Sequence, residues 1–167
     1  VYKRQGCHSI TIDKRIPVGA GLGGGSSDAA VILRYLNRTS PAPLADRRLA
    51  KAALSLGADV PVCLAGIAQR MQGIGDMLTP VDPVPHGHLV LARADAMLRT
   101  AEVFKSLRES GSGDAAPLRS SEISGSVADI VAAGNDLQAA AMSLSPDIAR
   151  VLDRLRDGNG VIAAQMS

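Results

Sequence analysis

The sequence predicts a chain of mixed helix and strand, and three observations carry that reading. Ile10, Ile12 and Ile16 alternate with polar residues, the period of a half-buried strand. Leu49, Ala52, Ala53 and Leu56 recur at i, i+3, i+4 and i+7, the apolar stripe of a helix. Between them a glycine-rich segment joins the strand-like run to a second helical run that begins near Asp28.

Taken in order, Pro17 closes the first strand, over residues 10–16. The helix after the glycines puts Ala29, Leu33 and Leu36 on one face and ends near Asn37, before Ser40-Pro41-Ala42-Pro43. The Leu49–Leu56 helix stops at Gly57. Asp59 follows at once, two residues before Pro61, and so stands on a rigid turn. Residues 62–68, 69–72 and 77–81 read as short strands, with turns at Gly66 and Gly73-Ile74-Gly75. Asp82-Pro83-Val84-Pro85-His86-Gly87 is the domain boundary, which divides the chain into 1–82 and 83–167. Beyond it come a strand over 88–93 and a helix capped by Thr100, with Val103, Phe104 and Leu107 inward. A Ser/Gly-rich loop over 111–126 and a helix over 135–142 follow. Ser145-Pro146 opens a last helix, with Ile148, Val151, Leu152 and Leu155 on one stripe and Gly158 as its stop. A final strand begins at 160–164.

Bulk composition narrows the function. The chain has 167 residues, 46% hydrophobic and 20% charged, as in a soluble globular protein. Tyr2, Tyr35 and Phe104 are its only aromatics, too few to stack single-stranded nucleic acid. A net charge of +2 without a basic run argues against nucleic-acid partners. Cys7 and Cys63 are too sparse for a disulfide framework or a zinc site and fit reduced thiols in the cytoplasm. No apolar run approaches membrane-spanning length, and no secretory signal is visible.

The segment Pro17-Val18-Gly19-Ala20-Gly21-Leu22-Gly23-Gly24-Gly25-Ser26-Ser27 carries the chemistry. Glycine backbone can turn its N–H groups toward a ligand and let the ligand come close. A helix N-terminus just beyond adds unpaired N–H groups and a positive dipole end. Together these make a phosphate cradle. Five glycines are a costly way to build an ordinary turn, at about 0.5–1 kcal/mol each relative to Ala in ordered structure. No lysine follows them, which excludes a Walker A loop. Gly19, Gly21 and Gly24 match a dinucleotide fingerprint. Against it stand Asp13-Lys14-Arg15 in the preceding strand and the placing of Asp46 within a helix.

The whole string, P-x-G-x-G-L-G-G-G-S-S-x-A-A, resembles the ATP-binding motif of the GHMP kinase superfamily (galacto-, homoserine, mevalonate and phosphomevalonate kinases). G-L-G-G-G-S-S-D-A-A resembles its 4-diphosphocytidyl-2-C-methyl-D-erythritol kinase branch. Leu56-Gly57-Ala58-Asp59-Val60-Pro61 resembles that branch's second motif at the matching distance. Gly73-Ile74-Gly75-Asp76 and Asn135-Asp136-Leu137 agree more weakly. The resemblance implies an α+β fold: a ribosomal-protein-S5-domain-2-like half followed by a ferredoxin-like half. It implies phosphorylation of the 2-hydroxyl of diphosphocytidyl methylerythritol with ATP and Mg²⁺, the glycine segment holding the phosphates and the Ser26 and Ser27 hydroxyls near phosphate or Mg²⁺. By the same resemblance the chain is the middle of a kinase. It lacks an N-terminal strand with a catalytic lysine and a third glycine-rich motif that would begin at Met166-Ser167, and alone it is expected to be inactive. Another GHMP kinase acting on a different alcohol, or a nucleotide-binding module without turnover, are the alternatives.

Single residues divide between bland and chemical roles. An aspartate on a turn commonly bonds its own backbone; the resemblance makes Asp59 the catalytic carboxylate instead. Lys14 serves equally as a solvated strand residue or a nucleotide contact. Asn135 and Asp136 read as helix caps rather than substrate ligands, and Gly73 and Gly75 as hairpin geometry. His8, His86 and His88 have no metal-ligand spacing.

Overall fold

A computed structural model describes residues 8–17, 19–82, 86–95, 98–110 and 126–166. Cys7, Val18 and the boundary residue Pro83 lie outside the described residues, as does most of the Ser/Gly-rich loop.

The first half is a helical layer followed by a hairpin. Helix α1 spans Gly24–Thr39, α2 Asp46–Leu56 and α3 Val60–Ala65; strands β1 (Gln69–Gln72) and β2 (Met77–Pro80) follow. The three helices pack together around Ala30, Ala53 and Val60, bordered by Ala29, Leu33, Cys63 and Leu64. Small side chains at the centre let the helix axes approach closely, so a core without aromatics still closes. β1 and β2 pair antiparallel, from Gln69 opposite Pro80 to Gln72 opposite Met77. Gly73 and Gly75, at φ 65° and 90°, take the tight connection that the sequence reading placed there.

Beyond the boundary lie α4 (Thr100–Glu109), α5 (Val127–Ala133), α6 (Leu137–Leu144) and α7 (Pro146–Arg156). Val103, Ala140 and Ala141 form their buried cluster, joined by Leu98, Leu107, Leu137, Ile148 and Met166. Asp136 is the N-cap of α6 and makes no side-chain cap bond, while Asn135, one residue before it, accepts the Leu137 N–H at its Oδ1 at 2.9 Å. Its Nδ2 donates to Met166 O at 3.0 Å, and Gln138 Oε1 accepts the Met166 N–H at 2.9 Å. The end of the described chain is thereby tied to the start of α6.

Several expected elements are corrected. Residues 62–68 do not begin as a strand but belong largely to α3. Pro61 supplies a preset φ in the first turn, and Gly66 ends the helix in the left-handed region at φ 69°. A short apolar run cannot itself distinguish the two structures. The runs at 10–16, 88–93 and 160–164 form no strand. Leu89 is 91% exposed and Ile162 83% exposed. Alternation favours a strand only where a neighbour offers a hydrogen-bond ladder, and β1–β2 is the one sheet among the described residues. Phe104 stays half-exposed rather than fully inward, and α5, capped by Ser126 Oγ accepting from the Asp129 N–H at 3.1 Å, has no counterpart in the sequence reading. The fold is mixed α+β, helices with a small antiparallel sheet. Among the described residues no helix is long and apolar enough to cross a membrane.

Candidate functional site

Glycine conformation shapes the loop before α1. Gly19, Gly21 and Gly23 have φ of 76°, 74° and 64°, while no described non-glycine residue has positive φ. The sign of φ therefore alternates along this segment, an arrangement that turns successive N–H groups toward one side. A Cβ built on Gly19, Gly23 or Gly25 would meet nothing within 4 Å. The backbone is open to close approach by a ligand.

Helix α1 starts four residues earlier than the sequence reading placed it, inside the glycine run. Gly23 is its N-cap, and no side chain caps it. Ser27 N–H already bonds to Gly23 O at 2.9 Å. The N–H groups of Gly24, Gly25 and Ser26 are thus the orphan donors of the first turn. That turn contains no acidic residue to offset the positive dipole end. A helix built only for stability would carry a capping side chain and fewer glycines. An anion at this end would supply what the sequence withholds.

Lys14 joins the start of α1. Its Nζ forms an ion pair with the Asp28 carboxylate and stands 3.9 Å from the position a Cβ on Gly24 would take. Both side chains are about one-third exposed, at 39% and 34%. Asp28 is thus a member of the site that the sequence reading left out. Placing the helix start at Asp28 hid the fact that it lies one turn inside α1, within reach of a lysine before the loop.

Asp59 sits in the turn leading into α3. Val60 N–H bonds to Gly57 O at 3.1 Å, and Asp59 has φ −85° and ψ −10°, the values of position i+2 in a type I turn. Its side chain makes no cap bond to α3. The carboxylate is exposed, and it pushes the Cys63 thiol up from its ordinary value as a second cause after burial.

The helices that carry the two candidate regions are in contact. Val60 lies in the apolar cluster of Ala30; four residues further along each helix, Arg34 Nη2 donates to Leu64 O, with Cys63 O at 3.4 Å. Helices α1 and α3 therefore pack against each other. Arg34 also places a cation at the C-terminal end of α3, where the dipole favours one. Arg34→Ala is expected to cost about 1 kcal/mol and to lower the melting temperature by about 2–4 °C. A melting curve identical to wild type would show that the contact contributes nothing.

The donor set suits ATP with Mg²⁺. Among the described residues no three His, Cys, Asp or Glu side chains gather into a metal cage. Mg²⁺ on a nucleotide needs none, because phosphate and water supply most of its oxygens and one or two protein oxygens suffice. Ser26 and Ser27 offer hydroxyls in the first turn of α1, beside the free N–H groups. Two open concavities among the described residues lie elsewhere. One of about 440 Å³ is lined by Phe104, Leu107, Asn135, Asp136 and Met166, and one of about 450 Å³ by Asp95, Asp147, Arg150 and Arg154. Asn135 is already bonded to Leu137 and Met166, and neither concavity presents a converging catalytic set. We place the candidate site at the open loop, where the unpaired donors are.

Residues 1–67 match the family model of the GHMP kinase N-terminal domain. The chain is 41% identical over 165 residues to a 4-diphosphocytidyl-2-C-methyl-D-erythritol kinase of Cereibacter sphaeroides, an alignment covering 95% of this chain and 57% of that protein. It is 42% identical over 160 residues to the kinase of the same name from Rhodospirillum rubrum, with 95% and 52% covered. With that of Desulfitobacterium hafniense it shares 40% over 167 residues, with 98% and 57% covered. The chain thus spans a little over half the length of these relatives. The glycine-opened helix and the Leu-Gly-Ala-Asp-Val-Pro turn are both in place, the first 67 residues match the GHMP kinase N-terminal domain, and nearly the whole chain is similar to the 4-diphosphocytidyl-2-C-methyl-D-erythritol kinases.

Proposed function

We propose that this chain carries the ATP-binding and proton-accepting parts of a kinase that phosphorylates the 2-hydroxyl of 4-diphosphocytidyl-2-C-methyl-D-erythritol. The observation that carries the reading is the uncapped glycine start of α1, with three free N–H groups and no acidic neighbour in its first turn. Pro17, Val18, Gly19, Ala20, Gly21, Leu22, Gly23, Gly24 and Gly25 wrap the phosphates with backbone. Ser26 and Ser27 add hydroxyls for phosphate or Mg²⁺. Bound Mg²⁺ supplies charge neutralisation across the transferring phosphate. Lys14, pivoting on Asp28, brings a positive charge to the same edge.

Asp59 faces the acceptor. As the acceptor oxygen bonds to phosphorus, its proton passes to the Asp59 carboxylate, and the bond from the γ-phosphorus to the ADP oxygen breaks. A phosphoryl group moves with little covalent help from protein, so positioning and electrostatics dominate. Backbone amides, two hydroxyls and one carboxylate are a sufficient set. The family match over 1–67 and the separate apolar clusters on either side of Pro83 support a division into an S5-like ATP-binding domain, 1–82, and a ferredoxin-like domain, 83–167.

The test joins this chain to the flanking segments of the Rhodospirillum rubrum relative and follows ADP release with ATP and Mg²⁺. Release is expected with diphosphocytidyl methylerythritol and not with galactose, homoserine or mevalonate. Release with one of those alcohols alone would assign a different GHMP kinase. Nucleotide binding without release for any acceptor would leave a binding module.

A further inference from the structure

We propose that Gly75, at the tip of the β1–β2 hairpin, is a positioning residue for Asp59: the hairpin turn seats on the backbone of Ala58 and fixes the turn that presents the carboxylate. The inference rests on the catalytic reading of Asp59. A Cβ on Gly75 would lie 2.2 Å from Ala58 O, 2.9 Å from its carbonyl carbon and 3.0 Å from its Cα. Real Cβ atoms essentially never come within 3.0 Å of such a neighbour. The neighbour here is backbone, which cannot swing aside as a side-chain end can. Gly75 is also buried and has φ +90°, so any other residue is strained there as well as crowded.

Ala58 and Asp59 are the two central residues of the turn closed by Val60 N–H on Gly57 O, at 3.1 Å. On its far side Asp59 O accepts the Cys63 N–H at 3.2 Å, and Val60 and Pro61 are buried. The turn is therefore gripped between α3 and the hairpin, while the Asp59 side chain is left free of any cap bond. The hairpin tip is itself held. Asp76 Oδ1 accepts the Ile74 N–H at 3.1 Å, and Gly75 N–H donates to Gln72 O at 3.2 Å. The two glycines of this turn thus differ. A Cβ on Gly73 would press on the Asp76 side chain, at 2.5 Å from its Oδ1, and not on Ala58.

Cys63 reports on the position of Asp59, because the carboxylate is one of the two causes that raise its thiol. In a Cys7→Ser background of this chain, the pH dependence of iodoacetamide alkylation reads the Cys63 thiol. Asp59→Asn removes one raising cause, so the thiolate forms at lower pH and alkylation at fixed pH speeds up. We expect that response in the parent and its loss in Gly75→Ala, where Asp59 has already been displaced. The same response in Gly75→Ala as in the parent overturns the proposal. Should Gly75→Ala fail to fold by circular dichroism, Asp76→Ala loosens the tip from within. It is expected to diminish the response, and an undiminished one is equally fatal. In the chain joined to its relative's flanks, Gly75→Ala should lower kcat by about 10²-fold with KM for ATP unchanged, the scale of an ångström-level misplacement. The thiol readout stands or falls without catalysis, so a failure of the kinase reading is distinguishable from a failure of this one.

Discussion

Asp59→Asn is expected to lower kcat by about 10²–10⁴-fold, the range of a positioned acid–base group, in this chain joined to a relative's flanks, while the melting temperature barely changes. The structure separates the two effects. The turn at 57–60 is held by backbone: Val60 N–H on Gly57 O at 3.1 Å and Cys63 N–H on Asp59 O at 3.2 Å. The carboxylate takes no part in that scaffold and makes no cap bond to α3. Asparagine is close to isosteric and tolerates the same turn conformation. The substitution therefore removes a proton acceptor and little else. KM for ATP should hold, because the proposed phosphate contacts lie in the glycine segment. Turnover near wild type would return Asp59 to an ordinary turn residue. A large loss of melting temperature would do the same, because it would give the carboxylate a structural role.

Legibility of the site in the sequence followed how local each cause was. The glycine loop was plain because φ at Gly19, Gly21 and Gly23 is a property of single residues, and glycine accepts all three values. Leu49, Ala52 and Ala53 gave α2 because helical spacing is also local. Gly57 and Pro61 bracket Asp59 closely enough that a turn followed from sequence alone. What failed depended on partners. Ile10, Ile12 and Ile16 have the alternation of a strand and no ladder beside them among the described residues. Val62, Cys63 and Leu64 fit either period, and burial against α1 and α2 decided for helix. The start of α1 was set too late because glycines were read as loop, although a helix N-terminus tolerates them when its N–H groups have another use. The Lys14–Asp28 pair and the seat of Gly75 on Ala58 join residues well separated in sequence, and no periodicity encodes either.

Gly23→Val is expected to abolish measurable ATP binding in the chain joined to a relative's flanks, and its cause can be separated from unfolding. Gly23 is the N-cap of α1 at φ 64° and ψ 16°, a conformation that β-branched residues reach as genuine outliers. Forcing valine there costs about 1–3 kcal/mol of backbone strain, or the cap rotates away and carries the N–H groups of Gly24, Gly25 and Ser26 with it. Either way the fan of donors no longer meets the phosphates together. A strained cap could also weaken α1, and Gly23→Asn resolves that ambiguity. Asparagine visits the left-handed region and is a favoured N-cap, so the helix should keep its stability. A Cβ at this position meets nothing within 4 Å, so the asparagine side chain has room in the folded protein and would occupy space left for ligand. Calorimetry should then show ATP affinity reduced by at least about 10-fold, a difference of about 1.4 kcal/mol, with melting unchanged. If both variants bound ATP as the parent does, the glycines would be only a helix start, and the phosphate site would have to be sought elsewhere in the chain.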